Sequence, residues 1–403
     1  MALPEEPLTE EAPPGEPAGG GEERTTRRIL VALLAVLALA AVGLLGLLVW
    51  LLRPQPGPRA PGEPVGYPIR VVAAIYGSGP RREQLLRTPL GVAFDGDGNV
   101  WISNTGRSRV EVYTTDGAFV RAVGAEPGPG RLWSPYGIAV DPDRERVYVA
   151  DFAARAVQIF STSGAYVGHL PADDQDLGVF GPDGFTPYDV GLLEGRVIVS
   201  SNDGLYFFDA TGHVVARWGG RFKGRNVRGV ELGMFNFPDA FEVDPERGRI
   251  YVADTLNRRV VALDREGRWL WVSGLPDAYG KIRGFWQLPR GIVLGPDGNL
   301  YVVDTFRADP EGMGTGHLVV LSPEGELLSE FGRAGEPEGA FDFPEQLAVD
   351  GDGLFAIADR ENHRVVLFTL GPLPPPDRGE TELYGESFSR PEDVWATPQP
   401  GQG

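Results

Sequence analysis

The residues in this chain whose types and spacing suit chemistry fall into three sets. The first follows six recurring prolines: Leu90, Tyr136, Tyr188, Asp239, Arg290 and Glu345, with Asp189 and Gln346 one position further on. Carboxylates and an amide gathered at one place suit a hard cation such as calcium, which takes about six to eight oxygen ligands. The alternation of Asp239, Arg290 and Glu345 suits a ring of ion pairs equally well. The second set is basic: Arg221, Lys223, Arg225 and Arg228 fall within eight residues, and Lys281 and Arg283 follow in the next connection. Such a cluster can hold an anionic sugar, a phosphate or an acidic protein segment, or it can be neutralised by nearby Asp and Glu. The third set is histidine, of which only His317 and His363 occupy neighbouring loops. Two imidazoles fall short of the three protein ligands of a catalytic zinc site. There is no GxSxG elbow and no cysteine, so no thiolate nucleophile and no disulfide. No catalytic set, cofactor or metal is assigned.

The elements that must position these residues are repeats. From Phe237 to Gly274 the chain reads as four short strands, 240–243, 250–253, 260–263 and 269–273, separated by turn-forming residues. The two middle strands are apolar at every position, where a sheet with one wet face would alternate, so both faces must be covered. The same pattern begins at Arg87, Ser134, Thr186, Leu288 and Phe343. The opening prolines Pro89, Pro135, Pro187, Pro238, Pro289 and Pro344 stand 46, 52, 51, 51 and 55 residues apart. Repeats of this length, each a small antiparallel sheet needing neighbours on both sides, predict an all-β, six-bladed β-propeller.

The turns between second and third strands carry Asp254, Asn257, Arg259 and Val260, then Asp359, Asn362, Arg364 and Val365, with a looser copy in Asn104, Arg109 and Val110. In this pattern, over residues 69 to about 370, the chain resembles the NHL-repeat propellers. The third copy has no Arg in its turn and the second has Ala156 in its place, so those blades must close their turns by other means. The resemblance implies a rigid disc whose connecting loops carry the function. Some propellers of this kind bind RNA through a basic face, and calcium-dependent lactonases are similar in overall fold, with acidic and amide groups at the channel mouth.

The last copy has three strands before the proline run at 371–376, whereas Ile69–Tyr76 has the form of an outer strand. The first segment is therefore expected to close the last blade, because an unpaired edge invites aggregation.

The net charge of −19 repels phosphate backbones and argues against nucleic acid as a partner. Residues 1–28 read as a disordered acidic tail. Residues 29–52 carry no charge over 24 positions, long enough for a transmembrane helix. Arg24, Arg27 and Arg28 precede them, which places the N-terminus in the cytoplasm and the propeller outside it. Residues 53–68 form a proline-rich stalk, 69–373 the propeller, and 374–403 a disordered tail. The sequence thus points to a single-pass, extracytoplasmic binding or scaffolding module. Its expected contacts with a protein or a small anionic ligand are Arg221, Lys223, Arg225, Arg228, Asp239, Arg290 and Glu345. The alternative is a metal-dependent hydrolase or lactonase working through Asp189, Asp239 and Glu345.

Overall fold

The computed structural model describes residues 69–222, 225–226, 228–273, 286–308, 314–331, 333–334 and 340–372. The expected membrane helix at 29–52, the tails and the stalk lie outside them. Among the described residues no helix is long and apolar enough to cross a membrane.

Six four-stranded antiparallel sheets form the blades, five with their strands in chain order from the channel outward and the sixth completed by the first strand of the chain. Their innermost strands are Pro89–Phe94, Pro135–Asp141, Val190–Leu193, Pro238–Asp244, Leu288–Leu294 and Pro344–Val349. In the fourth blade the strands run Pro238–Asp244, Arg249–Asp254, Arg259–Asp264 and Trp269–Ser273. The alternation of strand directions puts the second-to-third turns and the blade-to-blade connections on one face, hereafter the loop face.

The ring closes through the two ends of the propeller sequence. Ile69–Ile75 pairs antiparallel with Arg364–Leu370 as the outer strand of the sixth blade, Ile69 opposite Leu370 and Ile75 opposite Val365. Ile69 and Ile75 are both buried, each worth about 1.5–3 kcal/mol.

Both faces of each blade are apolar because each blade is covered twice. Six hydrophobic clusters result, one for every pair of neighbouring blades. Val252, Val261 and Leu263 of the fourth blade pack on Ile198 and Phe207 of the third. Tyr251, Val260 and Ala262 turn the other way, onto Leu300 and Val319 of the fifth. That alternation explains the unbroken apolar strands.

Each loop-face turn is pinned by charge. Asp254 accepts from Arg259 Nε at 2.7 Å, from Asn257 Nδ2 at 2.7 Å and from the Asn236 backbone N–H at 2.8 Å. Asp359, Arg364 and Asn362 repeat the arrangement in the sixth blade at 2.7 and 2.9 Å. The divergent copies reach the same end by substitution. In the first blade, Glu111 receives both Arg109 Nε at 2.6 Å and Asn104 Nδ2 at 2.9 Å. In the third, Arg217 comes from the outer strand to pair with Asp203 at 3.0 Å. In the second, Asp151 caps the N–H groups of Trp133 and Ser134 at 2.8 Å each.

The fifth blade has longer second and third strands than the others. Leu300–Ala308 and Gly314–Leu321 extend the second and third strands, pairing Arg307 with Thr315 and Ala308 with Gly314. The backbone satisfies its own hydrogen bonds by prolonging the ladder.

Candidate site at the propeller channel

Six innermost strands converge on the channel, closely enough at Gly91 and Gly137 to need glycine. A Cβ at Gly91 would lie 2.0 Å from the Tyr136 carbonyl oxygen, and one at Gly137 would lie 2.2 Å from Asp189 Oδ1. The residue after each opening proline therefore sits at the channel mouth.

On one side of the mouth the structure assembles an ionic network. Arg290 Nη1 lies 2.9 Å from both Asp239 Oδ2 and Glu345 Oε2. Glu345 Oε1 in turn accepts from Arg360 Nη1 at 2.9 Å. Both guanidiniums lie over the ring of Phe343, at 5.5 and 4.6 Å from its centroid, a cation–π contact. Phe343 is held there by a left-handed backbone, φ 53°, uncommon for a bulky residue. Burial works against the charge of Arg290, but Asp239 and Glu345 hold its guanidinium above the ordinary value. Burial pushes the Glu345 carboxyl up, opposed first by Arg290.

The other side is aromatic. Tyr136 packs on Phe152 and Tyr188 with centroids 5.4 and 6.0 Å apart, and Tyr188 packs on Phe237 at 5.8 Å. The Tyr188 hydroxyl donates to Asn202 Oδ1 at 2.7 Å. Burial, then the nearby Asp239 and Glu345 carboxylates, push the Tyr136 phenol up. Between the two sides, Leu90, Tyr136, Tyr188, Asp239, Glu345 and Gln346 leave a gap of about 10 Å³, close to the minimum for one water.

Below this constriction the channel opens into a cavity of about 240 Å³. Its lining draws on all six innermost strands, with Asp189, Glu242 and Gln346 as the polar side chains among apolar ones, and most of the surface exposed to the cavity is polar. Asp189 is buried and accepts from the Phe241 backbone N–H at 3.2 Å. Burial pushes its carboxyl up to about 7, against the Phe241 and Val190 N–H groups and the Gln346 side chain. Burial also pushes Glu242 up to about 8, reinforced by Asp189 and Asp244 and opposed by the Leu294 N–H. Phe94, Glu242, Leu294 and Val349, near the far ends of their strands, are partly exposed, whereas Leu90, Asp189 and Glu345 are buried. The channel thus narrows at the loop face and widens away from it.

The basic cluster is only partly described. The backbone of Arg221–Phe222 pairs antiparallel with Arg225–Asn226, so this connection carries a small hairpin. Lys223 and the side chains of Arg221 and Arg225 lie outside the described residues, as do Lys281 and Arg283. Arg228 is exposed, 3.4 Å from Asp183 and 4.9 Å from the centroid of Phe237. His317 and His363 have separate surroundings: Nδ1 of His317 is 3.2 Å from Glu330, and Nδ1 of His363 is 3.2 Å from the Thr88 backbone N–H.

The NHL repeat family model matches residues 341–368, the end of one connection and most of the sixth blade. The chain is a six-bladed β-propeller with an NHL repeat in its sixth blade. Among solved structures, a Bacteroides thetaiotaomicron protein of unknown function is 18% identical, with a TM-score of 0.53 over 73% of this chain and 72% of that one. The virginiamycin B lyase of Staphylococcus aureus is 14% identical, with a TM-score of 0.48 over 74% of this chain and 98% of that one. The hydrazine synthase of Kuenenia stuttgartiensis is 15% identical, with a TM-score of 0.49 over 73% and 80%. At these identities the likeness speaks to the fold alone.

Sequence reasoning singled out Asp239, Arg290 and Glu345, and the propeller brings them together. It missed Arg360, Phe152, Phe237, Phe343 and Glu242. The signal for Glu242 lay in the fourth position after each opening proline, which reads Ala93, Ala139, Gly191, Glu242, Val293 and Ala348. Five of the six are small or apolar, and one is an acid.

Proposed function

We propose that this protein is a single-pass membrane protein that displays its propeller outside the cytoplasm as a binding or scaffolding module. The loop face takes a protein segment or a small anionic ligand. The observation that carries this reading is the exposed Arg228, seated on Phe237 beside the aromatic shelf of Tyr136, Phe152 and Tyr188. Trp133, Val230, Leu232 and Leu256 stand exposed on the same face. Exposed aromatic and apolar groups with an arginine among them are the usual anchors of recognition surfaces. Arg221, Lys223 and Arg225 add positive charge in the same connection.

A calcium-dependent hydrolase has less support. The Arg290 guanidinium already lies 2.9 Å from both Asp239 and Glu345, where a cation would need those oxygens. Arg228→Glu in the full chain is expected to weaken capture of anionic partners at least tenfold. Unchanged capture by that variant would refute the loop-face reading, and a calcium-induced rise in melting temperature would favour the hydrolase. Protease digestion of intact cells tests the topology separately: the propeller should be cleaved from outside.

A further inference from the structure

The position that follows Asn104, Asp151, Ser201, Asp254, Asp304 and Asp359 shows where the chain departs from its own repeat. In blades one, four and five it is a threonine: Thr105, Thr255 and Thr305 donate to the carbonyl oxygens of Pro135, Pro289 and Pro344 at 2.6, 2.7 and 2.7 Å. Each bond ties one blade to the next. In blades two, three and six the position holds Phe152, Asn202 and Arg360, and all three stand at the loop-face mouth. Phe152 packs into the aromatic shelf, Asn202 accepts from the Tyr188 hydroxyl, and Arg360 pairs with Glu345. Three blades thus forgo a structural hydrogen bond, and the side chains placed there build one surface.

We propose that this surface binds an acidic sugar, a hexuronate with its ring on the shelf, its hydroxyls on Asp239 and Arg290, and its carboxylate on Arg228. The inference rests on the loop-face reading and names the ligand class. Tyr136, Phe152 and Phe237 are half-buried, which leaves part of each ring to meet the C–H groups of a pyranose, whose positive edges are drawn to aromatic faces. Beside them, Asp239 Oδ1, Arg290 Nη2, Arg360 Nη2 and the Tyr136 hydroxyl are not buried and have no hydrogen-bond partner among the described residues. A carboxylate oxygen next to guanidinium N–H groups matches neighbouring hydroxyls, which donate to the one and accept from the other. The anionic end has a separate partner. Arg228 is exposed over Phe237, with the exposed Asp183 3.4 Å away, and its connection, residues 220–237, carries Arg221, Lys223, Arg225 and Arg228 against Glu231 alone. These groups surround one point: burial, then Asp239 and Tyr136, push the Tyr188 phenol up, and Arg228 and Arg290 oppose them. One small ligand reaches them all. The gap of about 10 Å³ beneath it holds no more than a water, so the sugar rests on the mouth without entering the channel.

The test is ligand-observed NMR titration of the full chain, in nonionic detergent, with methyl glucuronide, methyl glucoside and cyclohexanecarboxylate. The glucuronide is expected to saturate in the millimolar range. The glucoside, which lacks the charge, and the cyclohexane acid, which lacks the hydroxyls, should each bind at least about tenfold more weakly. Phe152→Thr installs the residue that blades one, four and five carry, so it keeps the fold, and it should weaken the glucuronide about tenfold. No saturation, equal affinity for the glucuronide and either control, or an unchanged affinity in Phe152→Thr would each overturn the proposal. Partner capture that depends on Arg228 in a chain that does not bind the glucuronide would overturn this inference alone and leave the loop-face reading standing. Capture indifferent to Arg228 together with no glucuronide binding would overturn both.

Discussion

The two ends of the channel are built from the same six strands and treat charge in opposite ways. At the loop face, Asp239 and Glu345 share Arg290, Glu345 also holds Arg360, and Tyr136 and Tyr188 narrow the opening. At the far end, Glu242 and Asp189 receive backbone N–H groups and, among the described residues, no basic side chain. The difference follows from where the partners come from. Loop-face residues neighbour turns and connections, which supply arginines at positions the blades leave free. At the far end the turn arginines Arg144 and Arg247 are taken by Asp141 and Asp244, and the small or apolar residues at the position of Glu242 in the other innermost strands offer no counter-charge. Pairing closes one end, and its absence leaves the other end with an unmet electrostatic demand.

Deleting Ile69–Ile75 should erase the comparison altogether, because both ends depend on a closed ring. Loss of Ile69 and Ile75 from the core alone removes about 3–6 kcal/mol, so the shortened chain should melt well below the full one. Equal melting would show that closure is not what holds the two ends.

Breaking the paired end alone should come next in size. Arg290→Met leaves two carboxylates without their shared cation and should lower stability by about 3–5 kcal/mol in urea unfolding. Glu242→Gln, at the unpaired end, should change it by no more than about 0.5 kcal/mol at about pH 5. Similar losses for both would abolish the distinction.

The unpaired end should instead reveal itself through pH. The folded-state values of Glu242 and Asp189 lie above their ordinary values, at about 8 and about 7. Their contribution to stability is therefore complete in acid and is lost as the pH rises through those values. The melting temperature should fall between about pH 5 and about pH 9. Glu242→Gln should flatten that fall and be more stable than the unmodified chain at the alkaline end. A slope unaltered by the substitution would place the titration elsewhere. The smallest effect belongs to Tyr188→Phe, which deletes the bond to Asn202 and should cost about 1 kcal/mol.

The fold was legible because it is written six times. The proline spacing, the doubly apolar middle strands and the stray strand at Ile69 each had one consistent solution. The mouth was legible for a similar reason: position one after proline is the same place in every blade. What resisted reading was exchange between strands. Nothing local shows that Arg217 supplies the guanidinium missing from the third turn, or that Glu111 replaces the missing Asp of the first. The left-handed residues that aim Phe237 and Phe343 at the mouth, φ 54° and 53°, were equally hidden. Glu242 was visible in the alignment of repeats, but its isolation follows only once the ring places it opposite apolar neighbours.

The most direct measurement is the titration of the Glu242 carboxyl by carbon-13 NMR, its resonance assigned by disappearance in Glu242→Gln. The account predicts a midpoint near 8, in keeping with a partly buried acid that no described side-chain cation accompanies. A midpoint at the usual glutamate value of about 4.3 would mean that the far end is solvated or paired after all, and the contrast between the two ends would fail.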